Sequence, residues 1–181
     1  VAMGFRALCS NTTAANNIAV GRQALLSNTT GCENVAVGLC ALYSNNCSEC
    51  SAHYNTAVGN YALKSNTAQS NTAVGYCALA DNTTGATNTA VGENALHQNT
   101  TGSCNVALGR QAMFENETGN CNIAIGNNAL ICHCSGNGNI AIGRRALNND
   151  CTGASNTVIG TDAMCSNTSG CLNTAVGTNA L

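Results

Sequence analysis

Tryptophan is absent from this 181-residue chain, and aromatic residues make up only 3% of it. A core without large rings must be thin and aliphatic. Charge is equally scarce, at 8% of residues with a net of −2. A nucleic-acid surface is therefore excluded, because it needs clustered Lys and Arg. No apolar run approaches the roughly 18 residues that cross a bilayer, so no membrane insertion is expected. No signal peptide is visible, and the chain opens inside a repeat without an initiator Met, as a processed or partial chain would. Cys-x-x-Cys pairs at zinc spacing are missing too. Cys47-Ser-Glu-Cys50 stands alone, and Cys132-His133-Cys134 is too tight for one tetrahedral site. His53, His97 and His133 are scattered and form no constellation that would activate a thiol. The chain is expected to be no enzyme and to hold no metal or other cofactor.

What fills the sequence instead is one phrase in eleven copies, Asn–Thr/Val/Ile–Ala–Val/Ile–Gly–x–x–Ala–Leu. Its glycines are Gly4, Gly21, Gly38, Gly59, Gly75, Gly92, Gly109, Gly126, Gly143, Gly160 and Gly177, spaced 17, 17, 21 and 16 apart and then 17 six times. A fixed short period means one small unit stacked along an axis. Residues 1–181 therefore read as a single β-solenoid domain with a four-residue insertion between Gly38 and Gly59.

Each coil can be indexed from its glycine at position 0. Aliphatic residues hold −1, from Met3 to Val176; Ala holds −2 except at Val158; Ala holds +3; Leu or Met holds +4. These four columns are expected to pack. Positions +1 and +2 carry every Arg of the chain and are expected to face outward. Gly and Asn recur too often for a helix, while Thr-Ala-Val-Gly alternates as a strand does. The pattern predicts an all-β fold of about ten 17-residue coils, with two short strands per coil. Stacked ~4.8 Å apart, ten intervals make a rod about 50 Å long.

Position −4 is Asn wherever it can be read: Asn17, Asn34, Asn55, Asn71, Asn88, Asn105, Asn122, Asn139, Asn156 and Asn173. Asn suits left-handed turns, and stacked amides can hydrogen-bond along a rod. A second column at +7 is mostly Asn, with His133 and Asp150 as exceptions.

Cores such as Asn71-Thr72-Ala73-Val74-Gly75 and Asn139-Ile140-Ala141-Ile142-Gly143 resemble the head repeats of trimeric autotransporter adhesins and related repeats of phage tail fibres. The resemblance covers the whole chain. It implies a left-handed parallel β-roll, three rolls side by side, and attachment to host cells, matrix or other surfaces. The repeat here is longer than the usual head repeat, by the Asn-Thr-Thr-Gly turn of Asn28–Gly31, and far richer in Cys.

Thirteen Cys fit an oxidising, extracellular setting. Cys104 and Cys121 share +12 in consecutive coils, and Cys134 and Cys151 share +8, so each pair lies within bridging reach. Cys165 and Cys171 flank one turn; Cys9 and Cys32 occupy the same two positions across one rung; Cys47 and Cys50 lie in the insertion. Cys40 and Cys77, at +2, are two coils apart and too distant to pair. Seven Asn-x-Ser/Thr sequons offer glycosylation at Asn11, Asn28, Asn46, Asn82, Asn99, Asn116 and Asn167, six of them in the +7 column. The rival reading of that column is turn chemistry repeated because the coil repeats.

The functional expectation is a structural protein of an extracellular fibre on a cell or virion surface. It would be disulfide-stapled, glycosylated and polymerised head to tail, with lateral contacts through a strip of Ala at −2 and Gly at 0. The alternative is an adhesin head or tail-fibre module that binds glycans or a host surface as a homotrimer through +1 and +2. Ice binding by a flat Thr array is disfavoured, because −3 mixes Thr with Val and Ile.

Overall fold

The structure is a computed structural model that describes residues 1–46 and 52–181. Eleven short strands follow one another: β1 (Ala2–Met3), β2 (Ile18–Val20), β3 (Val35–Val37), β4 (Thr56–Val58), β5 (Thr72–Val74), β6 (Thr89–Val91), β7 (Val106–Leu108), β8 (Ile123–Ile125), β9 (Ile140–Ile142), β10 (Thr157–Ile159) and β11 (Thr174–Val176). They form one parallel sheet in sequence order. Pairing is column to column, as in Ala73↔Ala90 and Ala90↔Ala107. The long coil does not shift it, since Val35 still pairs Thr56 across the insertion. Neither does the 16-residue coil, where Thr56 pairs Thr72. The chain is thus an all-β solenoid of about ten coils. No helix among the described residues is long and apolar enough to cross a membrane.

One strand per coil is found, not two. The leg opposite the strand runs from 0 to +7 as two successive turns. In the second coil, Ala24 N–H donates to Gly21 O and Asn28 N–H donates to Leu25 O. A positive φ at the third residue suits the first of these turns, and +2 has it (Gln23 60°, Tyr61 62°, Asn94 56°); +4, the first residue of the second turn, is left-handed as well (Leu25 51°, Leu96 52°, Met113 50°). Alternating left-handed residues cannot make an extended strand. The leg still bonds from coil to coil: Leu25 N–H donates to Ala41 O and Ser27 N–H to Tyr43 O. Side-chain choice follows the backbone. β-Branched residues resist positive φ, and neither +2 nor +4 holds a Val, Ile or Thr.

The repeat glycine is fixed by geometry. Its φ lies between 126° and 144° in all eleven copies, a region that L side chains avoid. A Cβ there would also collide with the backbone of the next coil's glycine at every copy but Gly177.

The core is narrow. Between the two end coils, Ala at −2 and +3 and Leu or Met at +4 are almost fully buried. The aliphatic −1 column, expected among them, is not. In a strand, neighbours point to opposite faces, so an inward −2 turns both −3 and −1 outward. Val58, Val74, Val91, Ile125 and Ile159 are each exposed by 36–41%. The same alternation removes the expected lateral strip, because its Ala residues face inward.

Candidate functional site

Two columns of Asn complete the core where Ala and Leu leave it. The −4 amides form a ladder along the whole rod. Each Oδ1 accepts the backbone N–H of the next Asn in the column, over nine steps from Asn17 to Asn173, at 2.8–3.0 Å. From Asn17 to Asn156 each Nδ2 donates to a carbonyl of its own coil's turn, as Asn88 does to Gly102 O at 2.8 Å. The turn ladder read from sequence is therefore a buried backbone brace.

From Asn28 to Asp150 the +7 column is buried as well. Asn45, Asn66, Asn82, Asn99 and Asn116 each donate Nδ2 to the Oδ1 of the preceding +7 Asn, over 2.6–3.2 Å. Each also donates to the turn carbonyl that the −4 amide already holds, as Asn99 does to Gly102 O at 2.9 Å. Gly at +10 leaves room for this pairing: a Cβ on Gly85 or Gly102 would strike the +7 Oδ1 and the next coil's carbonyl.

This placement bears on the seven sequons. Asn28, Asn82, Asn99 and Asn116 are fully buried, with Nδ2 donating inside the core. A nitrogen so engaged has no room for a sugar, so these four work as turn and core chemistry in the folded coil. Asn11 and Asn46 are exposed, and Asn167 is half-buried with Nδ2 on Gly170 O at 3.3 Å.

The +7 amide chain ends at Asn116. His133 takes the place of Asn, fully buried, with Nε2 2.8 Å from Gly136 O and Nδ1 3.1 Å from Asp150 O. Asn116 Oδ1 then has no donor. In the next coil Asp150, also buried, accepts Gly153 N–H at 2.7 Å.

The cysteines divide by column. Cys134 Sγ lies 2.9 Å from Cys151 Sγ across one rung, less than ~1 Å beyond a disulfide bond. Hydrogen bonding to Cys151 first, and burial second, push the Cys134 thiol up to about 12. Burial raises Cys77 and, helped by Glu115, Cys132. Reactive thiols need the opposite shift. Cys104 and Cys121 are both exposed in the +12 column, with left-handed φ of 61° and 58°. The thiols of Cys32 and Cys171 are engaged elsewhere than toward Cys9 and Cys165. Cys32 Sγ accepts Ala15 N–H at 3.3 Å, and Cys171 Sγ accepts Ala154 N–H at 3.4 Å. Cys40 is buried against Gln23, not outward as its column suggested. Cys47 and Cys50 lie outside the described residues. No group of three or more His, Cys, Asp or Glu among the described residues is placed to hold a metal.

Those two thiols belong to a column that sequence reading missed. Cys32 and Cys171 stand at +11, where a polar side chain accepts the N–H of the coil before; Ala15, Ala86 and Ala154 in the same column cannot. His53 Nδ1 accepts Cys32 N–H at 2.7 Å, Ser103 Oγ accepts Ala86 N–H at 3.1 Å, and Asn120 Oδ1 accepts Ser103 N–H at 2.8 Å. The residue types differ, so no single letter marks the column; only the stacking register reveals it.

The +1 column faces solvent through most of the rod, and +2 is mostly half-buried. Their charges largely answer one another. Arg110 lies 3.6 Å from Glu93, while Arg144 and Arg145 lie 2.7 and 3.3 Å from Asp162. No protein-family model matches the chain, and neither does any curated protein or solved structure.

Proposed function

We propose that the chain is a structural β-solenoid of an extracellular fibre, extended by head-to-tail stacking of coils and closed by disulfides between rungs. The observation that carries this reading is the sameness of the rungs. Strand pairing and the −4 Oδ1 bond repeat from rung to rung along the rod, so each coil offers its neighbours the same bonding edge. Open edges pair with whatever coil comes next, in the same chain or in another copy. A joint that does not close gives a filament. The phrase shared with adhesin head repeats and tail-fibre repeats supports a surface fibre, and the Cys134–Cys151 approach supports an oxidising compartment. Mutual pairing of the +1 and +2 charges favours a scaffold over a receptor-binding face. A sugar coat on this rod belongs at the exposed Asn11 and Asn46 or on surface hydroxyls, not along the buried +7 stretch from Asn28 to Asn116.

Cryo-electron microscopy under non-reducing conditions tests the assembly. The expected result is a continuous fibre whose ~4.8 Å rung repeat runs across subunit joints. Discrete rods with free tips would overturn it and redirect attention to receptor binding. Site-resolved glycopeptide mass spectrometry on the same material should find Asn82, Asn99 and Asn116 unmodified. Occupancy at those three would contradict the buried column.

A further inference from the structure

The outward face of the sheet carries two columns, −3 and −1. Over eleven rungs −1 is only Val, Ile, Leu or Met, and −3 is only Val, Ile or Thr. Neither column holds a charge. This is not the default for exposed positions in the chain. The solvent-facing +1 column carries Arg22, Asn60, Glu93, Arg110 and Arg144, and the exposed +9 column carries Thr13, Thr30, Thr84 and Thr101. Aliphatic side chains are retained at −1 although 36–41% of Val58, Val74, Val91, Ile125 and Ile159 meets solvent in the single rod.

We infer that this face is an interface between two copies of the chain, packed sheet against sheet. Three features select a second copy over another partner. The ridges repeat at the rung spacing, so a sheet with the same spacing meshes with them column by column, as in a dry zipper. Both columns lack charge, so an identical face brings no like-charge contact, and a two-fold axis makes such a patch self-complementary. The size also fits. Eleven rungs ~4.8 Å apart and a strip ~10 Å wide give roughly 500 Å² per copy, so about 1,000 Å² in all, near the lower bound for a specific interface. The two sheets would lie ~10 Å apart, with −1 and −3 side chains interdigitating between them. The pairing is lateral and therefore independent of whether rods also join end to end.

Mass per unit length, measured by scanning transmission electron microscopy on the untagged protein, counts solenoids side by side in a rod or a fibre alike. Two solenoids per cross-section are expected. Hydroxyl-radical footprinting of the same sample should show the −1 residues Val74, Val91 and Leu108 several-fold less oxidised than the exposed +1 residue Tyr76, after correction for intrinsic reactivity. The triple variant Val74→Lys, Val91→Lys, Leu108→Lys should halve the mass per length while keeping the wild-type circular dichroism spectrum. One solenoid per cross-section in the wild type would overturn the proposal. So would three or more, or a pair whose −1 residues oxidise as readily as Tyr76. Because the first two measurements use the wild type, a variant that fails to fold does not leave the question open.

Discussion

Two columns of buried Asn run through the rod, and they differ in what their amides serve. At −4 each Oδ1 is the acceptor for a buried backbone N–H of the next coil. At +7 the amides mainly serve one another, and the turn carbonyl they share is already held from −4. The sequence follows this division. Asn fills −4 in every coil where it can be read, whereas +7 admits His133 and Asp150. A side chain that completes the backbone cannot be exchanged without leaving a buried peptide group unpaired. One that completes another side chain can be exchanged together with its neighbour, or at the cost of a single orphan.

The sharpest way to break this comparison is to cut each column in the same region. Asn88→Ala removes the acceptor for Asn105 N–H and one of the two donors to Gly102 O. An orphaned buried N–H costs ~1–3 kcal/mol, and a lost hydrogen bond about 1 more. Destabilisation of about 3 kcal/mol is expected in urea unfolding followed by circular dichroism. Asn99→Ala, in the neighbouring column, leaves Asn82 Oδ1 without its donor and Asn116 Nδ2 without one of its two acceptors, but Gly102 O keeps Asn88 and Asn116 keeps Gly119 O. About 1.5 kcal/mol is expected on the same scale. Equal costs for the two, or a larger cost at Asn99, would show that the distinction between backbone and side-chain service is wrong.

That distinction was partly legible in the letters. Period and parallel stacking follow from the eleven glycines, because φ near 135° and the next coil's backbone leave no other residue possible. The Asn column at −4 was legible as a ladder, though not as a brace for main-chain N–H groups. The −1 column misleads because aliphatic character alone does not mean burial. Alternation about Ala at −2 shows that both cannot point inward, and a strand this short leaves alternation only three residues to declare itself. The second leg misled for another reason. Its left-handed residues are mostly Arg, Gln, Tyr and Cys at +2 and only Leu and Met at +4, types that do not announce positive φ as the Asn of Asn94, Asn128 and Asn179 does. The +7 sequons read as surface because Asn-Thr-Thr-Gly is turn chemistry, yet here the turn folds its Asn inward and leaves its Thr outside.

The break in the +7 column allows the smallest and most informative change. His133 meets two carbonyls, Gly136 O and Asp150 O, through its two ring nitrogens. A neutral imidazole has one N–H and so serves only one of them. Meanwhile Asn116 Oδ1 waits for a donor that each earlier coil from Asn45 onward supplies. In His133→Asn, one Nδ2–H can reach Asn116 Oδ1 and the other Gly136 O, as Asn99 reaches Asn82 Oδ1 and Gly102 O. Satisfying the orphan should stabilise by ~1 kcal/mol, the net worth of one hydrogen bond, offset in part by the smaller side chain. A rise in the urea midpoint at unchanged slope would confirm that +7 is a chain of mutually served amides in which one misfit is felt by its neighbour. A fall would mean that the ring fills space the amide cannot, and that packing, not hydrogen bonding, sets the residue at this break.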